Sequence, residues 1–245
     1  MTPVMNAAAI LAGGLGTRLS PETSTLPKAL VDVAGEPFIA HQLRLLTRNG
    51  IRRVVVCVGF LGEMIREAIG DGATLGVSIE YSFDGPTLLG TGGALRKALP
   101  LLGDAFFVVY GDSYLDCDYP VVQRAFEASG KNALMTVFRN DNRLAPSNVR
   151  FVDGRILRYD KNSRTPEMRH IDYGVGLFKR AVFETIEEGR PCDLAEVYAG
   201  LLARDDLAAF EVPSRFYEIG SPEGLEDTRA YLKNRDQGSG TMNKT

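Results

Sequence analysis

Along this chain, short runs of unbroken apolar residues alternate with stretches whose apolar positions recur every three or four residues. AAAILAG (7–13) is the first short run and reads as a buried strand. In FIAHQLRLLTRNG (38–50), Ile39, Leu43 and Leu46 lie on one face and a glycine stops the pattern, which predicts a helix. The alternation continues with a strand in IRRVVVCVGF, a helix in LGEMIREAIGDG and a strand in VSIEYSF. A helix follows in TGGALRKALPLL, then a strand in DAFFVVYGD, a helix in VVQRAFEAS and a strand in NALMTVFRN. This order predicts an α/β fold, with a mostly parallel sheet covered by helices on both faces.

After residue 145 the pattern changes. SNVRFVDGRILRYDKN reads as a hairpin turning at Asp153-Gly154, and RHIDYGVGLFKR as another strand. Residues 194–202 read as a helix and LAAFEVP as a strand. SPEGLEDTRAYLKNR reads as a last helix with Ser221 as N-cap and Pro222 in its first position. No linker composition separates two halves and no repeat is found. The expectation is one domain over 1–233, with a first half over 6–145, a β-rich second half over 146–233 and a flexible polar tail over 234–245.

With 245 residues, 44% of them hydrophobic, the chain can bury a substantial core. A formal net charge of −3 leaves no global basic field for nucleic acid. Cys57, Cys117 and Cys192 are far apart and only two histidines are present, which argues against disulfide and structural zinc frameworks. Cys57 reads as a buried small apolar residue. No signal-peptide pattern and no apolar run of about eighteen residues is seen, so a cytoplasmic protein with no membrane partner is expected. His41 reads as a surface or core-edge residue of its helix.

Candidate chemistry begins at ILAGGLGTRLSPETSTLPKAL (10–30). It lacks the lysine and hydroxyl of a P-loop, and the third glycine of a dinucleotide fingerprint is replaced by Leu19, which disfavours a dehydrogenase. What remains is a strand, a glycine-rich turn that lets backbone N–H groups approach a ligand, and then Arg18 and Lys28. Arg18 supplies a fork of donors and Lys28 a point charge, a pair suited to a triphosphate. Asp112 ends the strand FFVVYGD at the carboxyl edge of the sheet, where open α/β sheets bind ligands. Alone it is as readily a turn residue. Gly90, Thr91 and Gly92 precede a helix and serve either as an anion or base site or as close-packing glycines. Asp118 reads as an N-cap.

LAGGLGTRLSPETSTLPKAL resembles the signature of the sugar-1-phosphate nucleotidylyltransferases, with Gly13, Gly14, Gly16, Thr17, Arg18, Leu19, Pro27 and Lys28 in matching places. LLGTGGAL (88–95), VVYGDSYLD (108–116) and FYEIGSPEGL (216–225) follow in the family's order, so the resemblance spans roughly residues 6–232. It implies a Rossmann-like domain with β-rich acceptor-binding additions. It also implies transfer of a nucleotidyl group from an NTP to a sugar 1-phosphate, releasing pyrophosphate, with Mg²⁺ as cofactor.

On that resemblance Arg18 and Lys28 are catalytic, steadying the phosphates. Leu11, Ala12, Gly13, Gly14, Gly16, Thr17, Gly90, Thr91 and Gly92 bind the nucleotide. Lys161 and Asp172 meet the sugar phosphate, and Asp112 and Glu218 hold the metal. Read from residues alone, Lys161 is equally a solvated turn lysine, Asp172 a turn acid and Glu218 an exposed strand-end acid. Two departures stand out: Glu218 replaces the family's usual aspartate, and Asp84-Gly85-Pro86-Thr87-Leu88 replaces the usual approach to the Leu-Gly-Thr turn. The late YEIGSPEGL looks most similar to heptose- or mannose-1-phosphate guanylyltransferases. Uridylyltransferases for MurNAc 1-phosphate come next, then cytidylyltransferases. The family often forms homo-oligomers. A competing reading is a regulatory homologue that binds nucleotide sugar without turnover.

Overall fold

The computed structural model describes residues 5, 7–14 and 25–239. In chain order its elements begin with β1 (Ala7–Leu11), the small hairpin β2 (Asp32–Val33) and β3 (Glu36–Pro37), α1 (Phe38–Arg48), β4 (Arg53–Val58) and α2 (Gly62–Ile69). β5 (Ser78–Phe83), α3 (Gly90–Ala98), β6 (Ala105–Tyr110), β7 (Ser113–Tyr114), α4 (Tyr119–Ser129) and β8 (Ala133–Arg139) follow. The second half holds β9 (Val149–Val152), β10 (Arg155–Tyr159), β11 (His170–Lys179), α5 (Ala181–Glu184), α6 (Leu194–Ala203), β12 (Leu207–Glu211), β13 (Tyr217–Glu218) and α7 (Pro222–Ser239).

A nine-stranded sheet runs β10-β9-β11-β6-β1-β4-β5, with β8 also against β11 and β12 against β8. The strands β6, β1, β4 and β5 are mutually parallel. β11 enters antiparallel to β6 and β8, and this is where the second half joins the first.

The continuous apolar runs have a direct cause. Successive side chains on a strand point to opposite faces, and here both faces are covered. On one side Ala8, Ile10, Val54, Val56, Phe107 and Val109 meet Leu43 and Leu46 of α1 and Val122 and Phe126 of α4. On the other, Ala7, Ala9, Val55, Cys57, Phe106 and Val108 meet Leu95 and Ala98 of α3 and Leu194 and Leu201 of α6. A smaller cluster packs Val33, Phe38 and Leu45 against Tyr114, Ile219, Leu225 and Leu232, so α7 is tied to α1 through β7 and β13.

The local signals behave as their chemistry requires. Asp153 and Gly154 both have positive φ, 49° and 79°, as the turn between β9 and β10 demands. Asp118 caps α4 by accepting from Val121 N at 3.0 Å, and Asp193 with Glu196 forms a capping box on α6. Ser221 Oγ accepts from Gly224 N at 3.0 Å, as an N-cap should.

Two expectations are revised. α7 is helical to Ser239, past residue 234, the expected start of the polar tail. His41 is buried, its Nε2 2.7 Å from Val33 O and its Nδ1 3.2 Å from Glu36 Oε1. The β2–β3 hairpin folds over the α1 N-terminus and covers it.

Phe178 is fully buried, its ring 5.1 Å from that of Phe183 and 5.2 Å from that of Tyr198. Phe178→Ala is expected to cost about 3–5 kcal/mol, read as a lower guanidinium midpoint at unchanged slope. A loss under about 1 kcal/mol would mean that α5 and α6 close over the gap.

Candidate active site

The parallel strands β1, β4, β5 and β6 all end on one edge of the sheet, and the turns after β1, β5 and β6, with Cys57 of β4, line a cavity of about 630 Å³. β1 delivers Leu11, Ala12, Gly13 and Gly14, β5 delivers Asp84, and β6 delivers Tyr110, Gly111 and Asp112. Gly90 and Thr91 of α3, Lys28 and Lys161 complete the wall. Gly16, Thr17 and Arg18 lie outside the described residues.

The turns crowd one another. Gly111 N donates to Leu11 O at 3.1 Å, and a Cβ at Gly111 would lie only 3.1 Å from Ala12 Cα as well as overlapping the Leu11 carbonyl. No larger residue allows β1 and β6 to end this close together.

Lys28 sits on a short 3₁₀ turn, Lys28–Leu30, and its Nζ donates to Asp112 Oδ2 at 2.9 Å. Ser113 Oγ donates to the other oxygen of Asp112 at 3.2 Å. β13 runs antiparallel to β7 with Glu218 opposite Ser113, and Ile219 N donates to Asp112 O at 2.9 Å. Two chain segments a hundred residues apart therefore set Glu218 beside Asp112. Glu218 is not part of the cavity wall. Its Oε1 accepts from Ser221 Oγ at 2.7 Å and its Oε2 from Gly220 N.

Among the described residues no three His, Cys, Asp or Glu side chains converge on a point that could hold a metal ion. Asp112 and Glu218 offer hard carboxylate oxygens, a donor set that suits Mg²⁺ when nucleotide phosphates supply the remaining ligands.

Lys161 follows β10 and lines the same cavity as Lys28. Its Nζ is 3.9 Å from Asp193 Oδ1 and 5.8 Å from the centre of the Tyr110 ring. Asp172, expected to meet the sugar, is instead buried in β11 behind that ring. Tyr110 donates to its Oδ2 at 2.6 Å, and Gly174 N donates to its Oδ1 at 3.1 Å. The cause is a bulge: from Asp172 to Gly176 β11 advances four residues while β8 advances two, from Val137 to Met135. Gly174 permits it with φ of 100°. Burial raises the Asp172 carboxyl above its usual range, opposed first by the Tyr110 hydrogen bond. Burial, then Asp172, pushes the Tyr110 phenol well up, so it stays a donor.

The glycine-rich start of α3 divides its work. Gly90 and Thr91 face the cavity, but Gly92 does not. Gly92 N and Gly93 N donate to Cys192 O at 2.8 and 3.2 Å, and Leu194 N donates to Thr91 Oγ1 at 2.7 Å. A Cβ at Gly93 would lie 2.7 Å from Arg190 O, and one at Gly90 2.6 Å from Cys192 O. These glycines admit the 190–192 backbone, and the N–H groups of Gly92 and Gly93 are spent on it.

Asp84, the first residue of the departing Asp84–Leu88 run, lines the cavity although the sequence assigned it no role. It is buried at the end of β5, its Oδ2 accepting from Leu89 N at 3.1 Å, and burial raises its carboxyl above the usual range. Its signal in the sequence was its position: an acid directly after a predicted parallel strand, as with Asp112.

The geometry is matched by kinship. The family described as "Nucleotidyl transferase" matches residues 7–199, and the chain belongs to it. An N-acetylmuramate alpha-1-phosphate uridylyltransferase of Neisseria meningitidis serogroup B is 32% identical over 228 residues, covering 91% of this chain and 96% of the relative. The beta catalytic subunit of mannose-1-phosphate guanylyltransferase from Xenopus tropicalis is 30% identical over 226 residues, covering 88% of this chain and 61% of that protein. Among solved structures, a putative glucose-1-phosphate thymidylyltransferase from Bacillus anthracis superposes with a TM-score of 0.83 at 22% identity, covering 93% of this chain and 95% of that one. HddC from Yersinia pseudotuberculosis, solved with GMP-PN, gives 0.79 at 22% identity, covering 94% and 100%. The fold is that of the nucleotide-diphospho-sugar transferases, and the protein is a sugar-1-phosphate nucleotidylyltransferase.

The buried Asp172 has a consequence for stability. With its folded pKa raised, ionisation costs the folded state more than the unfolded one. Stability should therefore fall as pH rises from about 3.9 through the raised value. Asp172→Asn is expected to lack this part of the fall. Urea unfolding at pH 4 and pH 7 measures it, and an equal pH response in both proteins would show that the Asp172 charge is not buried at a cost.

Proposed function

We propose that the protein transfers a guanylyl group from GTP to a heptose or mannose 1-phosphate, giving a GDP-sugar and pyrophosphate. The observation that carries this reading is the cavity lined by Lys28, Asp112 and Lys161 together with the buried carboxylate of Asp84. An oxygen of the sugar phosphate attacks the α-phosphorus, a new P–O bond forms, and the bond to the β-phosphate oxygen breaks as pyrophosphate leaves. The protein's part is alignment and charge neutralisation.

Lys28 meets the phosphates near the α-phosphorus and Arg18 the leaving pyrophosphate. Lys161, which lines the same cavity, receives the phosphate of the acceptor. Leu11 to Gly14 and Gly90 to Thr91 hold the nucleoside. Asp112 and Glu218 would hold Mg²⁺, which supplies charge neutralisation and Lewis acidity at the phosphates. In this reading residues 6–145 carry the nucleotide side and 146–233 the acceptor side.

The guanine choice rests on Asp84. An ionised carboxylate only accepts hydrogen bonds. Guanine offers N1–H and N2–H₂ side by side, whereas the N3–H of uracil is flanked by two carbonyl oxygens that a carboxylate repels. A second reading, UTP with an amino-sugar 1-phosphate, is supported by the kinship to the Neisseria uridylyltransferase. With no helix among the described residues long and apolar enough to cross a membrane, a cytoplasmic site of action fits the small-molecule substrates.

Pyrophosphate release from four NTPs against a panel of sugar 1-phosphates, with and without Mg²⁺, tests the reading. GTP with mannose or heptose 1-phosphate should give the strongest signal, and strong release from UTP alone would replace the base. Binding without release for every pair would favour the regulatory homologue. Asp112→Ala is expected to lower turnover by about 10²–10³ with folding intact. Asp84→Asn should erode the preference for GTP, and an unchanged preference would remove Asp84 from base reading.

A further inference from the structure

Gln42 occupies a place where the packing calls for an apolar residue. It lies on the inner face of α1 among Phe38, Ile39, Leu43, Leu45 and Leu46, and it is almost completely buried. Its carboxamide nitrogen donates to Tyr110 O at 2.9 Å and to Ser113 O at 2.8 Å. Its carbonyl oxygen is buried with no partner among the described residues. Flipping the amide would set that oxygen against two carbonyls, so the orientation is fixed by the contacts themselves. A polar side chain that leaves one buried acceptor unpaired is unfavourable in a core unless its donors have work to do.

The work is legible in what the two carbonyls flank. β6 ends at Tyr110 and β7 begins at Ser113, so between them Gly111 and Asp112 form a turn with no ladder partner on the α1 side. Gly111 N is tied to Leu11 O and Asp112 O to Ile219 N. Gln42 ties both ends of the turn from beneath. Its two N–H groups replace the missing ladder bonds and fix the direction in which the Asp112 carboxylate leaves the backbone.

We infer that Gln42 is a positioning residue, whose carboxamide clamps the Gly111–Asp112 turn so that Asp112 is preorganised toward a nucleotide-bound divalent cation. The inference rests on the reading of Asp112 as a metal-side acid. A residue that orients a ligand in this way acts on metal affinity rather than on the acceptor site.

The experiment compares wild type with Gln42→Leu, which keeps the volume without the donors, and Gln42→Asn, which keeps a carboxamide too short to span both carbonyls. Two quantities are measured in each folded protein: the Mg²⁺ concentration giving half-maximal pyrophosphate release, and the affinity for Mn²⁺ with GTP by calorimetry without sugar phosphate. Both variants should need about tenfold or more metal in each measurement. Their KM for the sugar phosphate at saturating Mg²⁺ should be unchanged. A variant with a lowered melting temperature but wild-type metal dependence would overturn the inference and leave Gln42 a packing residue. Should Gln42→Leu fail to fold, Gln42→Asn decides by the same criterion. If the wild type turns over UTP instead of GTP, the base reading falls and the comparison is made with UTP. Wild-type turnover independent of any divalent cation would overturn the reading of Asp112 and the inference together.

Discussion

The close approach of Gly111 to the end of β1 is the constraint on which the site depends. Its N–H reaches Leu11 O at 3.1 Å, and a Cβ at this position would overlap the Leu11 carbonyl. That contact places the glycine-rich turn after β1 beside Asp112 after β6. Lys28 then donates to Asp112 at 2.9 Å. Gly13 and Gly59 repeat the arrangement between β1 and β4, where a Cβ on Gly59 would come 2.8 Å from Gly13 O. The edge of the sheet is therefore built from backbone in contact with backbone. Three parallel strands end within reach of one ligand because small residues at their ends let the turns touch.

The second half of the chain is attached where the parallel order stops. β11 pairs antiparallel with β6 on one side and β8 on the other, and its bulge at Asp172–Gly176 bends it around Tyr110. Tyr110 becomes a wall between two environments. Its ring faces the cavity beneath Lys161, and its hydroxyl points away into a buried hydrogen bond with Asp172. The tyrosine thus carries the influence of a buried carboxylate to the edge of the site while keeping the carboxylate out of the wall. The ring beneath Lys161 is part of a wall that cannot rotate without breaking a buried 2.6 Å hydrogen bond.

Much of the architecture was legible in the sequence because both faces of the sheet are covered. Runs such as AAAIL, RVVVCV and AFFVVY are buried at every position but their end residues, so period and length identified them without knowledge of their neighbours. Turn and cap residues were equally local: Asp153-Gly154, Asp118 and Ser221 act within a few residues of themselves. What the sequence could not show was anything fixed by contact between distant segments. Asp172 lies in a strand whose pattern fits either face, and only the bulge against β8 turns its carboxylate into the interior. His41 reads as peripheral on a helical wheel, yet the β2–β3 hairpin folds over it. Gln42 carries no motif at all, since its partners are the backbone carbonyls of Tyr110 and Ser113.

The Gly90–Gly93 turn shows why a motif and its physical cause have to be separated. Its glycines suggest a ligand cradle, and two of the four residues do face the cavity. Yet the closest atoms to a Cβ at Gly90, Gly92 or Gly93 are backbone or side-chain atoms of Arg190 and Cys192. The turn is shaped first by protein and only then by ligand. The same 190–194 segment that occupies the N–H groups of α3 also presents Asp193 near Lys161, 3.9 Å away, and starts α6 with a capping box. One short loop therefore supports the Gly90–Thr91 wall of the cavity on one side and borders Lys161 on the other. A side chain added at Gly93 has to move the 190–192 backbone before it can touch anything in the cavity. Its effects would then reach both walls of the site through the fold, which a reading of the glycines as nucleotide contacts alone would not foresee.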